Sequence, residues 1–139
     1  MDDLTRAILI AVSAHDGQID KAGEPYILHP LRVMLSLKSE EERIVAVLHD
    51  VVEDCPDWPL DRLRREGFSE AVIAGVDAVT RRDGESYDDF IERARVDPIG
   101  RAVKRADVRD NMDLSRLRGI ATDRDMRRVA KYAKAAARL

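Results

Sequence analysis

The apolar run Val45-Ala-Val-Leu-His-Asp-Val-Val-Glu-Asp54 carries two titratable pairs, His49-Asp50 and Glu53-Asp54. On a helix His49 and Glu53 lie one turn apart, as do Asp50 and Asp54. Four groups able to hold a metal ion or a proton then project from adjoining faces. Charge in so apolar a stretch is costly unless something compensates it. The plain alternative is a helix C-terminus whose acids face water, where they oppose the macrodipole slightly. A His-Asp dipeptide alone is too common to decide between the two.

Two further segments bear on the choice. In Gly23-Glu-Pro-Tyr-Ile-Leu-His29-Pro a histidine stands at the end of a rigid loop, just before a helix that Pro30 begins. In Lys104-Arg-Ala-Asp107-Val-Arg-Asp-Asn111, Asp107 interrupts the apolar face set by Val103 and Ala106. Taken singly, Asp107 reads as an ordinary surface acid. Cys55 lies beside the acidic pair, but a catalytic thiol needs an activating base that the segment does not supply. His15, ending an amphipathic helix, reads as a packed or capping residue.

Taken together, the segments resemble the HD superfamily, and more closely the hydrolase domain of the RelA/SpoT alarmone enzymes and their small stand-alone relatives. The phrases that carry the resemblance are His15-Asp-Gly-Gln, Lys21-Ala-Gly-Glu-Pro-Tyr-Ile-Leu-His-Pro, Leu48-His-Asp-Val-Val-Glu-Asp, and Ala106-Asp with Asn111-Met. They run in continuous order over roughly the first 115 residues, well beyond a short motif match. The resemblance implies that His29, His49, Asp50 and Asp107 are metal ligands, with manganese the usual family metal. It also implies that Glu53 and Asp54 serve the attacking water and that Asn111 lies near the sugar of a bound nucleotide. Two imidazoles and two carboxylates suit a borderline divalent ion such as Mn(II), Fe(II) or Zn(II). Lys21, Arg32, Lys104 and Arg109 are candidates for phosphate contacts, and Tyr87 for stacking on a base or covering the pocket. Each has an ordinary alternative, as a solvated charge or a buried ring.

The chain departs from the family pattern in the substrate region. Asp20 stands where the family has a basic residue, Ala22 at a position often polar, and Asp113 and Leu114 where Arg and Thr are common. Fewer cationic and hydrogen-bonding contacts weaken the grip on a guanine nucleotide with many phosphates. The expected activity is manganese-dependent removal of the 3′-diphosphate from (p)ppGpp. The alternatives are an HD hydrolase of another phosphorylated nucleotide, or a nucleotide-binding regulatory module without turnover. A water-activating pair beside the metal is of little use to a mere binder. Synthesis of the alarmone is not expected, since nothing reads as a Gly-rich phosphate loop.

The elements that must position these residues read as helices throughout. Asp2 or Asp3 caps a first helix carrying Leu4, Ile8, Ala11 and Val12, which Gly17 ends. Residues 18–29 form a loop, and Pro30 opens a second helix. Ser39 with Glu42 marks the start of a central helix that continues through Val52 and stops near Asp54, before Pro56. Further helices are expected over 59–66, 70–80 and 87–95, the last capped by Ser86, then from Asp97-Pro98 through Val108, and finally over 123–139. The fold class is all-α, an orthogonal multi-helix bundle of the HD-domain kind in one unit over 1–139.

Composition agrees. The 139 residues are 45% hydrophobic and 37% charged, with aromatics only 4%, a balance that favours helices over a β-sandwich. A net charge of -3 argues against a nonspecific nucleic-acid partner. It leaves room for a small phosphorylated nucleotide held by a metal and local cations. With Cys55 the only cysteine, no disulfide closes within the chain, as expected of a cytoplasmic protein. No apolar run approaches membrane-spanning length, and no sequence feature specifies an assembly state.

Overall fold

The structure is a computed structural model that describes residues 1–117 and 119–139. It is helical as the sequence predicts: α1 (Asp3–Ala14), α2 (Leu28–Leu35), α3 (Glu40–Leu48), α4 (Val51–Asp54), α5 (Leu60–Arg65), α6 (Glu70–Ala78), α7 (Tyr87–Val96), α8 (Pro98–Met112) and α9 (Asp123–Arg138). Among the described residues the only extended pairing is an isolated bridge between Ile19 and Pro25. Among the described residues no helix is long and apolar enough to cross a membrane.

The expected caps set the boundaries. The Asp2 carboxylate accepts from the Thr5 N–H at 2.8 Å, Ser39 Oγ from Glu42 at 3.2 Å, and Asp97 from Gly100 at 2.7 Å. Thr122 and Asp125 form a reciprocal capping box at the start of α9. Gly17 and Gly67, at φ 82° and 93°, turn the chain where only glycine does so without strain.

α3 is the hub. Its residues Val45, Ala46, Val47 and Leu48 are fully buried, and it packs against α1, α2, α6 and α8. Each buried valine or leucine of these stabilises the fold by roughly 1.5–3 kcal/mol relative to exposure. α6 and α8 approach closely because Gly75 and Gly100 lack side chains. A Cβ on Gly100 would lie 2.8 Å from that of Ala78. A second, smaller apolar cluster of Ile91, Val108, Ala135 and Leu139 fastens α9 to α7 and α8.

Two expectations are corrected. The central helix is not continuous through Asp54: it breaks at His49 and Asp50, and α4 restarts at Val51. The cause is local. His49 Nδ1 lies 2.5 Å from the Ala46 carbonyl, a side chain competing with the backbone ladder three residues on. α2 begins at Leu28 rather than Pro30, so His29 sits in the first turn of a helix instead of on a loop. Proline is tolerated there because first-turn N–H groups lack intrahelical acceptors in any case.

Candidate metal centre

Three elements converge on one buried point. The first turn of α2 supplies His29, the break between α3 and α4 supplies His49 and Asp50, and the middle of α8 supplies Asp107. All four are buried, His49 to within 1% of full burial. One ligand atom each from His29, His49 and Asp50 lies within 4.8 Å of the others. Asp107 Oδ1 joins them, 3.0 Å from His29 Nε2 and 3.4 Å from His49 Nε2. Asp50 Oδ2 stands 3.1 Å from His49 Nε2.

The ring nitrogens are oriented for coordination. His49 Nδ1 faces a carbonyl, which only accepts, so Nδ1 carries the hydrogen and the Nε2 lone pair points inward. That Nε2 is buried and has no hydrogen-bond partner among the described residues. His29 Nδ1 donates to Asp110 Oδ2 at 2.6 Å, which likewise turns its Nε2 to the centre. Two inward imidazole nitrogens between two buried carboxylates form a donor set that fits a divalent cation.

The electrostatics show the same demand for positive charge. Burial pushes the Asp50 and Asp107 carboxyls up, but their neighbours overcome it. Asp50 is held down at about 2, chiefly by His49, and Asp107 well below the ordinary value by Lys104 and His49. Burial disfavours protonation of His49, yet Asp50 and Asp107 raise it well above the ordinary imidazole value. His29 is raised too, burial being outweighed by its hydrogen bonds to Asp107 and Asp110. The carboxylates thus attract a cation or, failing one, protons on the imidazoles.

An outer layer fixes the candidate ligands. The Tyr26 hydroxyl donates to Asp50. Lys104 Nζ, itself buried, donates to Asp107 Oδ2 at 2.8 Å, and Asn111 Nδ2 donates to Asp107 Oδ1 at 3.0 Å. Asp110 receives His29 and a forked pair of bonds from Arg32, at 2.9 and 3.1 Å. Tyr26 and Asp110 do not stand out in the sequence as site residues. Their signal was available as helical and turn spacing: Asp110 is three residues past Asp107, and Tyr26 three before His29.

Above the point opens a cavity of about 550 Å³. Glu53 and Asp54 line it, with Lys21, Arg32, Tyr87 and Asn111. Glu53 Oε1 accepts from the Arg81 N–H at 3.1 Å. Asp54 is pushed up to about 6, first by desolvation and then by Asp50 and Glu53. Lys104 also lines the cavity, but its ammonium is committed to Asp107 and lies over the Phe90 ring at 4.7 Å. Arg109 does not line this cavity; it lines a second one, which corrects its candidacy for a phosphate contact here.

The departures from the family pattern lie on the same wall. Asp20, Ala22, Asp113 and Leu114 all line the cavity. The two acids are engaged internally. Asp20 Oδ1 accepts from the N–H groups of Ala22 and Glu24 at 2.9 and 3.0 Å, holding the turn. Asp113 accepts from the Ser115 N–H and pairs with Arg116 at 3.1 Å. Away from the ligand atoms, His15 is packed as expected, its ring 5.0 Å from Tyr26 and its Nδ1 2.8 Å from Gln18 Oε1. Cys55 is buried, with its thiol 3.3 Å from the Ala14 carbonyl.

Comparison with known proteins places the chain in a family. The HD domain family matches residues 7–139. A guanosine-3′,5′-bis(diphosphate) 3′-pyrophosphohydrolase of Aquifex aeolicus is 34% identical over 123 residues, covering 80% of this chain and 17% of that one. The bifunctional (p)ppGpp synthase/hydrolase SpoT of Escherichia coli K12 is 37% identical over 90 residues, covering 62% of this chain and 12% of that one. The chain thus spans less than a fifth of the length of these relatives. The solved structure of a metazoan ortholog of SpoT, described as hydrolysing ppGpp, superposes with a TM-score of 0.78 at 24% identity. It covers 98% of this chain and 84% of that one, and shares the fold. With the family matched from the first helix to the last residue, the chain belongs to the HD domain family.

Proposed function

We propose that this protein is a metal-dependent 3′-pyrophosphohydrolase of (p)ppGpp, with His29, His49, Asp50 and Asp107 holding the ion and manganese the ion held; Fe(II) and Zn(II) suit the same ligands. The observation that carries this is the inward-facing, unpartnered Nε2 of His49 among two buried carboxylates and a second oriented imidazole, at the floor of a cavity. The names of the relatives in Aquifex aeolicus and Escherichia coli supply the substrate class.

An ion in that position supplies Lewis-acid polarisation of phosphorus and eases ionisation of water. The chain does the rest. Asp54, or Glu53 beside it, takes the proton of the attacking water. As the new P–O bond forms, the bond from phosphorus to the 3′ oxygen breaks, pyrophosphate leaves, and the 3′ oxygen takes a proton. Glu53 is steadied for this by the Arg81 N–H. Lys21 serves the phosphate oxygens as a donor, Asn111 the sugar, and Tyr87 offers a ring to the base, all three lining the cavity. The same reading takes residues 1–139 as one catalytic unit working in the cytoplasm on a small nucleotide.

The test incubates metal-free protein with Mn(II) and ppGpp, pppGpp and nucleoside mono-, di- and triphosphates. GDP and pyrophosphate released from ppGpp, and stopped by chelator, support the proposal. Phosphate released only from another nucleotide keeps the centre and moves the substrate, as Leu114 on the cavity wall favours. No turnover with metal demonstrably bound would overturn the enzymatic reading.

A further inference from the structure

A second cavity, of about 580 Å³, lies between α2 and α8. Arg32, Asp110 and Asp113 line both cavities, so only the Arg32–Asp110 pair and its surroundings part the second from the metal centre. Val33, Leu37, Ala102 and Ala106 give it apolar walls. Arg105 and Arg109, one turn apart on α8, also line it, both exposed. Neither has an acidic partner among the described residues. The acids at hand are already engaged, Asp110 with Arg32 and His29, and Asp113 with Arg116.

Guanidinium groups left without carboxylates at an apolar-walled cleft match a phosphate group better than water does, because their forked donors fit its oxygens in pairs. The size suits a small molecule. We propose that this groove is a second ligand site, taking a small phosphorylated or pyrophosphorylated anion on Arg105, Arg109 and the edge of Arg32 turned away from Asp110. Its occupant reaches the metal centre through one chain of contacts. An anion that draws Arg32 into the groove lengthens its 2.9 and 3.1 Å bonds to Asp110, and Asp110 is the group that orients His29. This coupling rests on the metal reading above; the site itself does not. By linkage, whatever the ion does to the Arg32–Asp110 pair changes the affinity of the groove in return.

The test titrates inorganic pyrophosphate into the metal-free, isotopically labelled full chain and follows it by NMR. Saturable shifts at Arg105, Arg109, Val33 and Leu37 are expected, with affinity about tenfold or more weaker in Arg105→Gln/Arg109→Gln. Both side chains are exposed, so the variant keeps its fold, and an otherwise unchanged spectrum checks this. Shifts confined to Lys21, Arg128 and Lys131 in the metal cavity, or equal affinity in the variant, would overturn the site. The His29 ring nitrogens should move along the same titration curve; a stationary His29 ring beside a saturated groove would overturn the coupling. Neither readout requires hydrolysis, so a failure here is distinct from a failure of the catalytic proposal.

Discussion

His29 and Asp110, 81 residues apart in sequence, are joined by a hydrogen bond of 2.6 Å from imidazole Nδ1 to carboxylate. The bond fixes which nitrogen of His29 faces the centre, and Arg32 in turn fixes the carboxylate. Outer partners of this kind are worth about 10–100-fold in metal affinity. Asp110→Ala should therefore weaken Mn(II) binding by about that factor, while Asp110→Asn, which keeps an acceptor, should lose less. Calorimetric titration of the metal-free variants measures both. Equal affinity in Asp110→Ala and the unaltered protein would remove Asp110 from the site.

Asp54 carries the prediction for pH. Desolvation, Asp50 and Glu53 raise its carboxyl to about 6 in the absence of a cation. The base is the ionised form, so activity should rise with pH through this group and level off above it. A bound cation favours the carboxylate and moves the limb downward, so it should fall at or below about 6. Asp54→Asn should lower kcat far more than KM and abolish the acid limb. A profile whose acid limb lies above neutrality would assign the limb to another group.

The buried Lys104–Asp107 pair, 2.8 Å apart, ties a candidate metal ligand to the hydrophobic interior. Removing one partner of such a pair leaves an uncompensated charge, typically at a cost of about 3–5 kcal/mol. Lys104→Met should destabilise the metal-free protein by an amount of that order. With the ion bound, Asp107 regains a cationic neighbour and the loss should shrink. Urea unfolding with chelator and with Mn(II) gives the two values, and identical losses would contradict the coupling.

The tight approach of α6 and α8 makes a stability prediction independent of metal. A methyl group on Gly100 would press on the Cβ of Ala78 at 2.8 Å, with helix backbone behind both. Gly100→Ala should cost about 1–3 kcal/mol despite the better helix propensity of alanine. Thermal unfolding of the chelated protein measures it, and a rise in Tm would mean the helices part freely.

Much of this was legible beforehand because caps and apolar spacing are local. Ser39, Ser86 and Asp97 each announce a helix within three residues, and each helix forms there. The break at His49 was not legible, since a side chain capturing the Ala46 carbonyl is invisible to periodicity, which Val51 and Val52 simply continue. The motif residues for metal and proton chemistry did come together, because their types are unusual within apolar runs. Arg32 looked like a free cation until its carboxylate partner was known, 78 residues away. Asp20 looked like a loss of positive charge, although its carboxylate serves the backbone of its own turn. Partner choice across the fold is a tertiary property, and single-residue chemistry does not encode it.

The seam under α9 bears on how ligands come and go. That helix brings Arg128, Lys131 and Tyr132 to the cavity wall, and it is fastened to α7 and α8 by a small apolar cluster of its own, outside the main core. Elements outside the main core open locally at lower free energy than the hub of a domain. α9 should therefore behave as a door on a fixed frame, its amides exchanging with solvent well before those of α3. Binding of a polyanion that spans the frame and the door should slow that exchange, so that product departure is paced by the swing of a helix.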